Sequence, residues 1–556
     1  MANDARRGLT LKKADNAGKE ARGSEMTPIA ITLGFSGSRK WLDAAGRADL
    51  DTSAVNSAVE AWLLGRMNRL TGDLDLSANF FLCGVSQIAI GADMAFTRAC
   101  QSLNIPQQIL LPQHRDAYLD ATEKDGHPDF SATDRAAASA LLESPHIIED
   151  RLVSHAPDRY LRFEETNVEL VRRSDLLICL TMASSEARPG GTHDVITRAA
   201  KARKPVLWVR MTVHGEEVAF TEEWLGNPDE IKSRFAEQSS LQNEIFGVDL
   251  DRPDTADGFP AVELLLRAVM KHTEREAGKH SRFFKSAAFI IVGTHCLATV
   301  LATAAMKVHL EVFLVGLLGM EIVLLLTGYF VHHHLHHRGA ASRWALHRLV
   351  AEITRSVLSL KDWHLSLGYL HGLTLPDVVR PYLRTVELLH LRATRISKSG
   401  GWQPSRDAYL ADRLEGQLLF YQRQGQRAER LLNYAQQFFL WSSRLAILCT
   451  ALKVLFVLSH LSFAGLGAAD WKALLGFLAV ILPVVAVGAL SLAAANDLEA
   501  RHHSFREMLR FLSLQKDRMN SASSERESSR LVIETEARLI GETANWFSRR
   551  SYTGVA

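Results

Sequence analysis

Two pairs of long apolar segments restrict the fold of this chain more than any other feature of its sequence. Residues 286–306 and 309–331 form the first pair, and residues 440–463 and 473–495 form the second. As a helix, each segment is long enough to cross the roughly 30 Å hydrocarbon core of a bilayer. One such segment alone is also compatible with a buried helix of a soluble protein. Four of them in two closely spaced pairs predict two transmembrane hairpins, so we expect the lipid bilayer itself to be a partner of this protein.

Basic residues predict how these hairpins are oriented. They flank the outer ends of both pairs, whereas the loops within the pairs carry only Lys307 and Lys472 as basic residues. Because such residues collect on the cytoplasmic side of a membrane, we expect both termini and the segment between the hairpins in the cytoplasm. A reducing compartment agrees with five cysteines that are far apart and suggest no disulfide framework.

The overall charge restricts the possible partners. The chain of 556 residues has 64 basic and 62 acidic side chains, a formal charge of +2. This balance excludes a globally basic nucleic-acid binder, and we expect no DNA or RNA partner. Residues 1–26 lack the apolar centre of a secretory signal and are predicted to form a disordered leader.

Residues 27–270 alternate short apolar segments with helix-like ones. This order predicts a parallel sheet covered by helices on both faces, which is an α/β, Rossmann-like domain. The remainder is predicted to be an all-α membrane domain with four transmembrane helices and cytoplasmic helical extensions. The predicted strands of the first domain are Ile29–Phe35, Phe80–Cys83, Ile109–Leu111, Leu176–Leu180 and Pro205–Val209.

Three glycine-containing turns follow predicted strands, and parallel sheets bind ligands beyond the carboxyl ends of their strands. Small residues let backbone N–H groups approach an anion, and an arginine adds positive charge. One such turn is weak evidence because turns need glycine for their geometry, but three at one edge favour a nucleotide-type pocket. The candidates are Gly34, Ser36, Gly37, Ser38 and Arg39 in the first turn, Gly91 and Asp93 in the second, and Gly190, Gly191 and Thr192 in the third.

These segments carry a family resemblance. GFSGSRK (34–40), GAD (91–93) and the stretch 159–209 resemble the SLOG superfamily, the Rossmann-like group that includes DprA and the Lonely Guy proteins. The resemblance covers most of residues 27–212 and includes the pattern Asn167…Ser174-Asp175…Gly190-Gly191-Thr192…Lys204-Pro205-Val206. It implies a pocket for a nucleotide or nucleotide-derived ligand. The implied lining residues are Gly37, Ser38, Arg39, Asp93, Gly191 and Thr192, with Tyr160 and Asn167 as further candidates.

The third turn departs from the enzymes of this group. Lonely Guy enzymes carry PGGxGTxxE, in which the glutamate belongs to the hydrolytic site. Here Thr192 directly follows Gly191, and Val195 stands where the glutamate would be. His193 has no carboxylate partner at a suitable spacing and is expected to be an ordinary polar residue. We therefore expect a binding site with no catalytic residue, no metal and no cofactor other than the signalling ligand.

The membrane half carries a second resemblance. Its paired spans and charged helical segments, which end in ETEARLIGETANW (Glu534–Trp546), are similar to the SLATT family of membrane modules. The resemblance covers residues 275–548 and implies a pore-forming effector of bacterial anti-phage systems. The predicted parts are a first hairpin (271–338), a helical region (339–438), a second hairpin (439–496) and a cytoplasmic helix (497–556).

Polar residues within the predicted spans are candidates for function. Glu321 lies near the middle of the second span and Lys453 near the middle of the third. Charges at this depth face a partner or a watery path, so the two either neutralise each other or line a conduction route; we favour the pair. His295 is expected to be a packing residue. His333 and His337 are four residues apart, but we interpret this histidine-rich edge as an interfacial belt rather than a metal site.

Together these features predict a receptor in the bacterial inner membrane that senses a nucleotide second messenger. The messenger is expected to be a cyclic oligonucleotide or an ADP-ribose-type molecule, and the protein to be a homo-oligomer that permeabilises the membrane. Two alternatives stay open. One is a membrane-tethered N-glycosidase or phosphoribohydrolase, and the other is a scaffold that conducts nothing.

Overall fold

A computed structural model gives the structure of the protein. The predicted leader, residues 1–26, lies outside the described part of the chain, as do residues 239–261 between its two halves. The described residues are 29–41, 52–74, 80–122, 128–184, 187–214, 217–227, 229–233, 235–238, 262–306, 311–337, 339–363, 365–396, 401–458 and 468–552.

The first half, the head, is built on a seven-stranded sheet with the order β4-β3-β2-β1-β5-β6-β7. Strands β1 to β6 pair in parallel, and β7 pairs antiparallel with β6. The predicted Rossmann-like α/β class is thereby confirmed. The strands are β1 (Ile29–Gly37), β2 (Phe80–Ser86), β3 (Gln107–Leu111), β4 (Ile147–Leu152), β5 (Leu176–Met182), β6 (Val206–His214) and β7 (Glu217–Leu225).

Helices cover both faces of this sheet. Because side chains alternate along a strand, Ile178 packs with α1 and α2 on one face, while Leu177 and Cys179 pack with α5 and α6 on the other. At Gly34 an added Cβ would overlap the Ser174 hydroxyl, so this glycine lets the end of α5 approach β1. The helices are α1 (Thr52–Asp73), α2 (Ala92–Ser102), α3 (Arg115–Leu119), α4 (Ala132–Leu142), α5 (Arg159–Arg173) and α6 (Thr192–Lys201).

The second half is helical among its described residues. Four of its helices, α7, α8, α12 and α13, are long and apolar enough to cross a membrane, which agrees with the predicted spans. Helix α7 is continuous across position 270, where the sequence suggested a domain boundary. The helices are α7 (Val262–Ala305), α8 (Glu311–His337), α9 (Ala340–Ser359), α10 (Arg380–Ile396), α11 (Trp402–Ala408), a π-helical turn (Tyr409–Leu414), α12 (Glu415–Leu458), α13 (Ala468–Ala495), α14 (Leu498–Ser521) and α15 (Glu525–Tyr552).

Small residues set the packing of the four apolar helices. A Cβ at Gly328 of α8 would lie 2.7 Å from Cε1 of His295 on α7, and one at Gly488 of α13 would lie 2.6 Å from Sγ of Cys296. Such close approach is typical of helix pairs in membranes. Helix α7 therefore contacts both its hairpin partner α8 and helix α13 of the second hairpin.

A buried charge network ties the helical extensions together. Arg413, in the π-helical turn, donates to both carboxylate oxygens of Glu536 on α15 at 2.8 and 2.7 Å and to Glu352 on α9 at 2.8 Å. Tyr409 also donates to Glu536, at 2.7 Å. Buried charges are tolerated when they are paired in this way, so α9 and α15 are fixed to the beginning of α12.

Candidate ligand site at the carboxyl edge of the sheet

The three predicted turns meet at one place on the sheet. Strand β1 lies between β2 and β5. The chain first runs from β1 to β2, β3 and β4 on one side of it, and then returns to form β5 on its other side. In open α/β sheets this topological switch point is where ligands bind. We call the region formed by residues 34–39, 91–93 and 190–192 the switch-point site.

The turn after β1 is fastened on both sides. The amide of Ser38 donates to the carbonyl of Leu180 at 3.0 Å, and its hydroxyl accepts from the amide of Met182 at 3.2 Å. On the other side, the carbonyl of Ser38 accepts from the amide of Ala92 at 3.1 Å. A Cβ at Gly37 would overlap the Cβ of Ala92. Gly37 and Ser38 therefore form a fixed turn between β5 and α2.

Gly91 and Asp93 complete this turn from the α2 side. Gly91 has φ +84°, and a Cβ there would lie 2.8 Å from the carbonyl oxygen of Ser38. The buried carboxylate of Asp93 accepts from the amides of Gly37 at 3.1 Å and Ala89 at 3.3 Å. Burial raises the pKa of Asp93 to about 7, against the effect of these two hydrogen bonds. Asp93 thus positions both loops.

These contacts change the role of the first two turns. The amides of Gly37 and Ser38 donate within the protein, so in this structure they do not face an anion as the sequence suggested. Both oxygens of Asp93 are likewise engaged by backbone amides rather than free for a sugar hydroxyl. The amides of Gly37 and Ser38 and the carboxylate of Asp93 are thus engaged, and it is the neighbouring side chains that are open to a ligand.

The amino end of α6 supplies part of the open surface. Gly190 has φ +72° and lies against Phe163, where a Cβ would come within 3.0 Å of the Phe163 Cβ. The half-buried hydroxyl of Thr192 accepts from Ser36 at 3.2 Å. Helix amino ends carry amides without helical partners and favour anions. The amide of Gly191 donates to the carbonyl of Arg188 at 3.1 Å, so Ser36 and Thr192 supply the polar side chains at the centre of the switch-point site.

Asn167 supports this helix end from behind. It is fully buried, so it is neither a solvent-facing residue nor exposed to a ligand. Its carbonyl oxygen accepts from Gln87 at 3.0 Å, and its amide donates to Asp194 at 3.1 Å. Asp194 also accepts from Arg198 at 2.8 Å. Sequence reasoning did not predict the contacts of Asn167 with Gln87 and Asp194, since they join distant segments.

An arginine pair forms one side of the site. Arg159 Nη2 lies 2.5 Å from Oδ2 of Asp129, while Arg39 Nη2 lies 3.8 Å from the same oxygen. The Asp129 side chain is 1% exposed, whereas those of Arg39 and Arg159 are 31% and 30% exposed. Arg159 also donates to the carbonyl of Thr122 at 2.7 Å, so it is held firmly. Arg39 is held loosely and retains capacity to bind an anion.

Tyr160 lies at the mouth of the site. It follows Arg159 on α5, and its backbone carbonyl is 3.7 Å from the Cβ position of Gly190. The residue is 48% exposed, which is high for an aromatic residue. An exposed ring beside cationic groups can stack on a base. Asp129 and Arg159 were not predicted, although Arg159 could have been found as the neighbour of Tyr160.

The positions that correspond to the hydrolytic motif are occupied differently. Val195 is fully buried in the core beneath α6. The ring of His193 stands edge-on to Trp208, with 6.1 Å between the ring centres. Neither arrangement brings an acid and a base together beside Ser36 and Thr192.

The polar residues of the apolar helices take separate positions. Nδ1 of His295 lies 2.8 Å from the carbonyl oxygen of Ile291, in keeping with a packing role. Nζ of Lys453 lies 3.0 Å from the Cβ position of Gly476 on α13. Among the ion pairs of the described residues, none joins Glu321 to Lys453, and their pairing stays a prediction. Nor does the described part contain a group of three His, Cys, Asp or Glu side chains that could hold a metal ion.

Comparison of the chain with protein-family models, with curated proteins and with solved structures finds no match.

Proposed function

We propose that this protein is a membrane-anchored receptor for a nucleotide-derived ligand. The ligand binds the switch-point site from the cytoplasm and changes the arrangement of the membrane helices, which then permeabilise the bacterial inner membrane in defence against phage. The resemblances to the SLOG and SLATT families support the assignment to defence. The protein acts as a homo-oligomer, and both termini are cytoplasmic.

One observation carries the ligand part of the proposal. At the switch point, the partly exposed guanidinium of Arg39 lies 3.8 Å from Asp129, and at the amino end of α6 the hydroxyls of Ser36 and Thr192 lie 3.2 Å from each other. Two guanidiniums share the single carboxylate of Asp129, which leaves a local excess of positive charge. A phosphate satisfies this excess, because arginine and helix amino ends are its usual protein partners.

A continuous set of contacts supports the coupling to the membrane. At the amino edge of the same sheet, the amide of Ala30 donates to Thr385 on α10 at 3.1 Å. Asp175 accepts from the amide of Thr32 at 2.9 Å and forms an ion pair with Arg384. The head therefore rests on α10 through β1, the strand that also forms the switch-point site.

Helix α10 in turn packs against helices that lead to the membrane. Its residues Tyr382, Val386 and Leu389 share one apolar core with α7, α9 and α15. Helix α7 continues into the first span, and α15 is tied to the beginning of α12 through Arg413. A ligand drives such a mechanism only if it binds one arrangement more tightly than the other, and a few kcal/mol of differential affinity suffices.

Binding is tested with the purified full-length protein by native mass spectrometry. The panel contains cyclic dinucleotides, cyclic trinucleotides, ADP-ribose and its cyclic isomers. We expect one class to bind and Arg39→Ala to weaken its binding about tenfold or more, the usual effect of losing a charged hydrogen bond. The matched control is Arg69→Ala, on the exposed face of α1. Unchanged affinity in Arg39→Ala would contradict the proposed site.

Permeabilisation is tested with the same protein in liposomes loaded with a fluorescent ion indicator. The bound nucleotide is expected to start ion flux, and Glu321→Gln to change it. Liposomes that stay sealed with a ligand that does bind would favour the scaffold. Release of a free base from nucleoside monophosphates would favour the hydrolase.

A further inference from the structure

A second cleft lies on the far side of the sheet from the switch-point site. It lies beside the contacts between the amino edge of the sheet and α10, and its volume is about 290 Å³. Thr32 of β1 and Gln108 of β3 form its floor on the head side. We call it the joint cleft, because it lies where the head meets the helices that lead to the membrane.

Guanidinium groups dominate its polar wall. Four arginines and one carboxylate line it, a surplus of three positive charges among the lining residues. The arginines come from both halves of the chain, so an anion in the cleft contacts the head and α10 together. The charged lining residues are Arg172, Arg173, Arg380, Arg384 and Glu387.

Each of these arginines also has a carboxylate partner outside the lining. These four partners and Glu387 together offset the charge of the four guanidiniums, and the partners hold the guanidiniums in fixed positions. A guanidinium has five N–H donors, so an arginine paired with one carboxylate keeps donors for another acceptor. The pairs are Arg172–Glu169 at 2.6 Å, Arg173–Glu149 at 2.9 Å, Arg380–Asp377 at 2.8 Å and Arg384–Asp175.

Arg173 supplies independent evidence for a missing acceptor. Its side chain is 9% exposed, with Nε donating to Glu169 at 2.7 Å and Nη1 to Glu149 at 2.9 Å. Its Nη2 is buried and has no hydrogen-bond partner among the described residues. A buried donor without an acceptor is unfavourable and rare in native structures. This arginine of the cleft lining therefore keeps a donor that no described residue accepts from.

The apolar part of the lining comes from α10 and the segment before it. Leucines form it, among them Leu375 and Leu383. A pocket lined by both guanidinium groups and apolar side chains fits a molecule that has an anionic and an apolar part. We infer that the joint cleft binds an organic anion whose phosphate or carboxylate group contacts the arginines and whose apolar body lies against the leucines.

Such a ligand acts on the contact between the head and α10 rather than on the switch-point site. It bridges the head and α10, so its binding favours the arrangement in which the two are docked. Binding of this anion is separate from binding of the nucleotide, and it does not depend on the function proposed above.

The test is calorimetry on the full-length protein with three probes of similar shape: 1-naphthyl phosphate, 1-naphthoate and the neutral 1-naphthalenemethanol. We expect one or both acids to bind and the alcohol not to. Arg380→Gln is the first variant, because Arg380 is 72% exposed and its loss leaves the contact between Arg384 and Asp175 intact. Its expected effect is a loss of affinity of about tenfold.

Two further variants separate the possible outcomes. Leu375→Trp fills the cleft from its apolar wall and is expected to abolish binding, while Arg39→Ala is expected to leave it unchanged. Equal binding of acid and alcohol, or equal affinity of Arg380→Gln and the unmodified protein, would overturn the inference. Binding that is lost in Arg39→Ala would assign the probe to the switch-point site, which overturns the joint cleft while leaving the proposed receptor function in place.

Discussion

The two edges of the head sheet have opposite surroundings although they share the same strands. At the carboxyl edge, Ser36, Arg39 and Thr192 are partly exposed and held by few contacts. At the amino edge, the first residues of β1 are buried against α10. An open edge can exchange its partners for a ligand, and a closed edge can transmit a displacement. The closed edge at Ala30 and the open edge at Ser36 are thus only about six residues apart along the same strand, β1.

The amino edge is closed by both polar and apolar contacts. The side chains of Leu388 and Leu391 pack against Ala30, Cys83 and Ile148. Thr385 and Asp175 accept hydrogen bonds from the amides of β1 that lack a strand partner there. The Ala30 amide would be left unsatisfied if α10 moved away, because its acceptor Thr385 lies on α10. Asp175 belongs to the head, keeps the Thr32 amide, and would lose its ion pair with Arg384.

The largest expected effect comes from breaking the closed edge at Asp175. In Asp175→Ala the amide of Thr32 and the guanidinium of Arg384 both lose their acceptor. We expect the docking of the head on α10 to lose about 3 kcal/mol, roughly two unsatisfied groups. Hydrogen-exchange mass spectrometry on the full-length protein would show faster exchange in β1 and α10.

Asp150→Ala is the control for Asp175→Ala. Asp150 is an exposed residue of the edge strand β4, and its loss is expected to change little. If exchange in α10 stayed at the unmodified rate in Asp175→Ala, the closed edge would not depend on this ion pair.

The open edge is expected to respond to pH through Asp93. Its pKa is raised from 3.8 to about 7 in the folded protein because the carboxyl is buried. Between these two values the folded state binds a proton that the unfolded state releases, so stability falls as the pH rises through this window. From pH 5 to pH 7 the head should lose about 2 kcal/mol of its free energy of unfolding.

Urea titrations of the full-length protein in micelles at pH 5, 6 and 7 measure this loss. Asp93→Asn removes the titrating group but keeps an oxygen that can accept from the amide of Gly37. Its stability should therefore vary less with pH over the same range. A variant whose slope equals that of the unmodified protein would assign the pH dependence to another group.

The sequence predicts the open edge of the sheet better than the closed one. Glycines that are required by local geometry, such as Gly91 at φ +84°, mark turns that can be found in the sequence. Apolar segments such as Ile29–Phe35 similarly identify the central strands. Strands β4 and β7 were not predicted, because both are edge strands whose charged residues interrupt the apolar pattern.

Contacts between distant segments explain what the sequence did not predict. The hydrogen bond from Ala30 to Thr385 joins residues that are 355 positions apart, and no local pattern marks Thr385 as an acceptor. Asp129 and Arg159 are 30 positions apart and meet only because α5 returns beside the loop before α4. For the same reason, the sequence did not show that the amides of Gly37 and Ser38 donate within the protein instead of facing an anion. Their acceptors, Asp93 and Leu180, lie on other segments.

The smallest expected effect compares one hydroxyl at each edge. Thr385→Val removes the acceptor of the buried Ala30 amide while keeping the shape of the side chain, and should cost about 1 kcal/mol. Ser36→Ala removes a half-exposed hydroxyl whose partner Thr192 can bond to water instead, so its cost should stay within about 0.5 kcal/mol. Hydrogen exchange of the peptide that contains Ala30 measures the first loss directly. Thr385→Ser, which keeps the hydroxyl, should restore most of the protection of Ala30. Equal losses in Thr385→Val and Ser36→Ala would mean that the two edges do not differ in how tightly they are held.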